Sequence, residues 1–181
     1  LYIGDHAVAG DATSFSVTDR LIIWTTMTHE AKFLQRGENH VHTAPLSRSV
    51  ERGSRIVTAI PTAMALVLQM PRGNLETIYP RPMVIAVVHA ALDRRDYGAA
   101  LRTCRVHRLD MNLLYDHNPA DFMASIDMLI DQVSNTDHIN LLLSGLRRET
   151  PEPVNSICDG FIAAIESKDR KGYLTSILTA Y

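Results

Sequence analysis

Few side chains in this 181-residue chain are spaced for chemistry, and each set misses a requirement. His40-Val41-His42 turns two imidazoles to one face only if the segment is extended, and the nearby sequence lacks the third and fourth donors of a zinc site. Its plain reading is a polar loop with incidental histidines. Asp5-His6 and His29-Glu30 pair an acid with a base, yet neighbours on a strand point to opposite faces, so neither is a ready dyad. Cys104 and Cys158 fall on apolar helical stripes, where a thiol acts as a small hydrophobe. Arg102 and Arg105 flank Cys104 but point elsewhere on a helix. In Asp116-His117-Asn118-Pro119 a helix stop followed by a capped helix start explains every residue but the histidine. With no glycine-rich phosphate loop and no Ser/His/Asp pattern, no catalytic, metal or cofactor-binding residue is expected, and no enzyme activity.

One charged feature remains. Arg94, Arg95, Arg102, Arg105, His107 and Arg108 gather positive charge on a single predicted helical hairpin, with Arg102, Arg105 and Arg108 spaced by three. Such a stripe could touch RNA phosphates or an acidic partner. The competing reading is a solvated face, partly neutralised by Asp93, Asp96 and Asp110.

The elements that must position these residues change type at Pro80-Arg81-Pro82. With 46% hydrophobic and 21% charged residues the chain can bury a core, and its formal net charge of −2 excludes a global basic field. Two isolated cysteines, no signal peptide and no apolar stretch of spanning length point to a reducing compartment, cytoplasmic or nuclear, and no membrane. The opening Leu1-Tyr2-Ile3-Gly4, strand-like and without Met, suggests a piece of something longer.

Residues Ser14 to Val17 alternate, Asp19-Arg20 turns, and Leu21 to Thr26 reads as a buried strand. A weaker strand at Lys32 to Gln35 precedes a polar loop from Arg36 to Ser49. Ile56 to Ile60, Ala65 to Met70 and Leu75 to Tyr79 follow, with Met70-Pro71-Arg72-Gly73 fitting a type I turn closed by a positive-φ glycine. Five or six such strands leave edges that need protection, which predicts the last blade or blades of a β-propeller over residues 1–80, with a small independent β-domain as the alternative.

From Pro82 onward the apolar period is helical. Stripes run through Val84, Val87, Val88, Ala91 and Leu92, then Tyr97, Ala100, Leu101 and Cys104. After a break at Arg108 to His117, Asn118-Pro119 caps a helix over Phe122, Ile126, Leu129, Ile130 and Val133. Further stripes occupy Ile139 to Leu146, Val154 to Ile165 and Tyr173 to Tyr181. Helices of about a dozen residues with short links stack antiparallel. A tetratricopeptide-like α-solenoid is therefore expected over 81–181, with a compact bundle as the alternative. The aromatic-then-small pattern of Asp96-Tyr97-Gly98-Ala99-Ala100-Leu101 should let a helix pair approach closely.

Several long runs then resemble one family. They are Val50-Glu51-Arg52-Gly53-Ser54-Arg55-Ile56-Val57, Leu66-Val67-Leu68-Gln69-Met70-Pro71-Arg72-Gly73-Asn74-Leu75-Glu76, Asp110 to Pro119, and Asp137-His138-Ile139-Asn140-Leu141. These resemble the largest subunit of Elongator, the IKAP family, as does Ser176-Ile177-Leu178-Thr179; the first fifty residues fit more loosely. The resemblance implies tandem WD-repeat propellers followed by a helical solenoid, with this chain at the junction. It also implies a non-catalytic scaffold that dimerises through regions outside this chain. Its implied partners are the other Elongator subunits, including a radical-SAM, acetyl-CoA-using catalytic subunit and a second propeller subunit, in an assembly that modifies wobble uridine in tRNA. Residues Arg36 to Ser49 are shorter and more irregular than the family leads one to expect. A vesicle-coat or nuclear-pore type scaffold, which also joins propellers to solenoids, is the alternative, and tRNA contact through the five arginines is a third reading.

Overall fold

The computed structural model describes residues 1–36, 45–147 and 154–167, and the chain divides into two units, Leu1–Val87 and Val88–Tyr181. Among the described residues the first unit holds nine strands: β1 (Tyr2–Ile3), β2 (His6–Ala7), β3 (Ala12–Val17), β4 (Leu21–Thr26), β5 (Glu30–Gln35), β6 (Leu46–Ser49), β7 (Arg55–Ile60), β8 (Ala65–Gln69) and β9 (Leu75–Ile78). β1 and β2 form a small hairpin, β3 to β6 a four-stranded antiparallel meander, and β7 to β9 a three-stranded one.

β4 organises this unit because both of its faces are covered. Leu21 and Ile23 enter a core with Phe33, Leu66, Leu68 and Met70, while Ile22 and Trp24 pack with Leu34 against Leu1, Ile3 and Val8. A strand buried on both sides has no reason to alternate, which is why Leu21 to Trp24 reads as an unbroken apolar run. Its two threonines, also buried, are satisfied by hydroxyl contacts: Thr25 with Ser14 at 2.5 Å and Thr13 at 2.8 Å, and Thr26 with Thr28 at 2.9 Å. The turn at Asp19-Arg20 is closed by the Thr18 N–H donating to the Leu21 carbonyl at 2.8 Å. At the other predicted turn the Gly73 N–H donates to the Met70 carbonyl at 2.8 Å, and Gly73 has φ 89°, a value that suits glycine alone.

One stretch differs from expectation. Leu46–Ser49, placed by sequence in a polar loop, is a strand that pairs with β5 from Phe33 opposite Leu46 to Glu30 opposite Ser49. All four of its residues are exposed. An edge strand with no buried face carries neither alternation nor an apolar run, so its only specification is the ladder itself. His40 and His42 lie outside the described residues.

A helix, α1 (Arg81–Asp93), begins within the first unit, where Met83 and Ala86 join the β4–β8 core. In the second unit follow α2 (Tyr97–Val106), α3 (Asn112–His117), α4 (Pro119–Ala124), α5 (Ile126–Gln132), α6 (Thr136–Ser144) and α7 (Val154–Ser167). Val84, Val88, Ala91 and Leu92 are buried as the stripe requires, whereas Val87 is only partly covered. Phe122 is the centre of the helical core, with ring centroids 5.6 Å from Tyr115 and 6.3 Å from both Tyr97 and Phe161. The stripe from Tyr173 to Tyr181 lies outside the described residues.

The stretch Arg108 to His117, read from sequence as a break, contains α3. Asp110 starts it, its Oδ1 accepting from the Asn112 N–H at 2.9 Å. The helix expected after Pro119 is likewise two short ones, parted at Ser125, which is buried and hydrogen-bonded through its side chain to Tyr97. Strands giving way to stacked helices is the architecture of a β-propeller end joined to an α-solenoid.

Candidate interaction surface

The five predicted arginines are all exposed. Arg94 and Arg95 occupy the turn between α1 and α2, Arg102 and Arg105 the outer face of α2, and Arg108, at φ 52°, the turn beyond it. Arg95 also has positive φ, 57°, and its guanidinium reaches Asp121 at 2.6 Å. Arg105 meets Nε2 of His138 on α6, and Arg108 has a partner of its own, while Arg102 has no carboxylate partner among the described residues. The structure thus turns Arg105 to α6 and ties Arg95 to α4, while the Arg102 guanidinium lies over Gly98, one turn back on its own helix.

The aspartates that sequence proximity assigns to neutralise this stripe have other tasks. Asp96 caps α2, accepting from the Ala99 N–H at 3.0 Å. Asp110 accepts from both the backbone and the side chain of Asn112, and those bonds hold its carboxyl below the usual carboxylate range. Asp93 accepts from Nε2 of His117 at 2.7 Å, and the His117 ring stacks on His89 with centroids 4.6 Å apart. That contact supplies the reason for a histidine before the Asn118 cap, which sequence alone did not give.

Close approach of helices fixes the surface. Gly98 lets α2 sit against α5: a Cβ there would lie 3.1 Å from the Gln132 carbonyl, and the Gly98 N–H donates to Gln132 Oε1 at 3.1 Å. Gln132 closes the frame by donating to the Arg95 carbonyl at 2.9 Å. Asn112 does the same between α3 and the end of α6, donating to the Gly145 carbonyl at 2.7 Å and accepting from the Arg147 N–H at 2.9 Å. The close approach at Gly98 is the one the aromatic-then-small run leads one to expect, whereas Gln132 and Asn112 were absent from the sequence-based set because their partners are more than thirty positions away.

The remaining chemical groups do not assemble. Cys104 is fully buried, and burial, aided by the negative charge of Asp110, pushes its thiol up to about 11, so it is neither accessible nor a thiolate at neutral pH. Cys158 is buried as well. His29, at φ 66°, sits in the turn between β4 and β5, and Glu30 contacts Lys32 at 3.9 Å rather than His29. An open cavity of about 250 Å³ in the strand unit is lined by His29, Glu51, Arg52 and Arg55 among others, with no arrangement of nucleophile and base. Among the described residues no three metal-binding side chains converge, and no helix is long and apolar enough to cross a membrane.

Comparison with known proteins separates the same two regions. A family model described as the ELP1 N-terminal second beta-propeller matches residues 1–57, and one described as the ELP1 alpha-solenoid matches residues 81–152. Elongator complex protein 1 of Mus musculus is 34% identical over 213 residues, covering 99% of this chain and 16% of the mouse protein. The protein of the same name in Saccharomyces cerevisiae is 31% identical over 232 residues, covering 100% of this chain and 17% of its own length. That in Schizosaccharomyces pombe is 39% identical over 160 residues, 82% of this chain and 13% of its length. The chain therefore spans less than a fifth of these relatives, and the first two alignments exceed its 181 residues, so those relatives carry residues with no counterpart here. Matched on both sides of the strand-to-helix change by models of one family, and aligned along its whole length with that family's members, the chain belongs to the Elongator complex protein 1 family.

Proposed function

We propose that this chain is the propeller-to-solenoid junction of a non-catalytic scaffold subunit of the Elongator complex, in an assembly that modifies wobble uridine in tRNA. The observation that carries the reading is the succession of two architectures in one chain, each matched by its own model from this family. A solenoid offers broad side-chain surface, and here Asn112 and Gln132 bond backbone across neighbouring elements while Asp96 caps its own helix. Such a segment mounts partners and leaves chemistry to them. Its partners are the other Elongator subunits, the radical-SAM catalytic subunit and the second propeller subunit among them, and it dimerises through regions outside this chain. It works in the cytoplasm, with a nuclear pool, and binds no membrane. The relatives' names favour this reading over a vesicle-coat or nuclear-pore scaffold.

Deletion of the gene, followed by mass spectrometry of tRNA nucleosides, tests the assignment. Loss of the modified wobble uridines, restored by the full-length gene, is expected. Unchanged modification in the deletion strain would remove it.

A further inference from the structure

We propose that the outer face of α2, together with the adjoining turn of α6, is a docking surface for an acidic, partly apolar segment of a partner protein. The inference rests on the scaffold reading above and names one place where that scaffold is used.

Val106 ends α2 with 75% of its surface exposed, the highest exposure of any large apolar residue among the described residues. Arg102 lies one turn before it on the same side, and Arg105 one position back. Arg105 touches His138, and Leu141, three residues further along α6, is 45% exposed on the same side as His138. Val106 follows Arg105 directly and Leu141 lies one turn beyond His138, so both stand within about a helical turn of a contact that carries positive charge. Arg102, on the same side of α2 as Val106 with its guanidinium over Gly98, has no carboxylate partner among the described residues. The aspartates nearest in sequence direct their carboxylates elsewhere, Asp96 and Asp110 to backbone N–H groups and Asp93 to His117, so none of these bonds is made to Arg102 or Arg105.

A carboxylate-bearing segment complements such a surface in charge, and an apolar residue between its acids would cover Val106 and Leu141. Single-stranded RNA fits less well. Its binding surfaces add aromatic side chains for base stacking, whereas Tyr97, Tyr115, Phe122 and Phe161, the described aromatics of α2 to α7, are all buried.

The test uses the full-length protein assembled with the other Elongator subunits and carrying a photo-crosslinking amino acid in place of Val106. The expected result is a protein adduct mapping to a segment rich in Asp and Glu, with a yield that falls as salt rises. Combining Arg102→Glu with Arg105→Glu should lower that yield about tenfold or more, while Arg102→Lys with Arg105→Lys keeps most of it. Should the charge-reversed protein fail to fold, the lysine variant and the salt series still decide. No adduct, an adduct to RNA, or a yield indifferent to both charge and salt overturns the inference while leaving the scaffold reading intact. If the full-length protein assembles with no Elongator subunit at all, the scaffold reading fails and this inference falls with it.

Discussion

In the strand unit β4 is covered on both faces, yet Tyr2, Phe15, Val17, Met27, Leu46, Val57, Leu75 and Tyr79 each stand more than half exposed. In the helical unit only Val106 does so among the described large apolar residues, and Met128 and Leu141 are the others that reach the exposed class. The strand unit is thus held by one central strand and leaves its outer strands wet. The helical unit is held by ring contacts around Phe122 and by side chains that bond backbone on a neighbouring helix. Burial concentrated in one strand makes that strand indispensable and the edges tolerant. Burial spread over helices makes every close approach matter.

The largest effect expected is at the aromatic centre. Phe122→Ala or Phe161→Ala should cost about 3 to 5 kcal/mol in urea denaturation, because both rings are buried and contact each other. Leu46→Ala on the exposed edge strand should stay within about 0.5 kcal/mol. Equal losses at these positions would erase the contrast between the units.

Next in size is β4. Ile22→Ala and Ile23→Ala should both lose about 2 to 5 kcal/mol, since one faces each core. Loss at only one of the two would make β4 a one-sided strand.

Smaller effects sharpen the helical side. Gly98→Ala would place its Cβ 3.1 Å from the Gln132 carbonyl, a backbone atom that cannot swing aside, and about 1 to 3 kcal/mol of overpacking is expected, against little at Gly10, where a Cβ meets open space. Asn112→Ala strips the Gly145 carbonyl and the Arg147 N–H of their partner and should cost about 1 to 3 kcal/mol. Thermal melts of the two variants beside the parent measure both.

The smallest effect is a pH dependence. Asp110 has a folded-state pKa held below its ordinary value, so its contribution is complete above about pH 4 and is lost as pH falls through the depressed value. Asp110→Asn should flatten the parent's loss of stability in that acid range. An identical acid limb in parent and variant would show that the Asn112 bonds do not favour the charged form.

How much was legible in sequence depended on whether a local rule carried it. The strands around Leu21 to Thr26, the turns at Asp19-Arg20 and Pro71-Arg72, and the cap at Asn118 obey rules that act within a few residues, and the structure places them there. β6 was missed because an exposed edge strand is specified only by its partner. α3 was missed because six residues bounded by Asp110 and Asn118 look like loop punctuation until Asn112 is seen clamping the end of α6. The arginines were visible as a charge run on one hairpin, but their partners were not. Arg95 turning to Asp121 and Arg105 to His138 join residues 26 and 33 positions apart. Val106 lies beside them by helical spacing alone, but no local pattern would have brought α6, with Leu141, to the same contact.

The central claim, that this junction belongs to a scaffold holding Elongator together, is tested most directly by affinity capture of the full-length protein from its own cells with quantitative identification of what remains bound. The radical-SAM subunit and the second propeller subunit are expected in amounts comparable to the bait. Recovery of coat or nuclear-pore components, with those subunits missing, would contradict it.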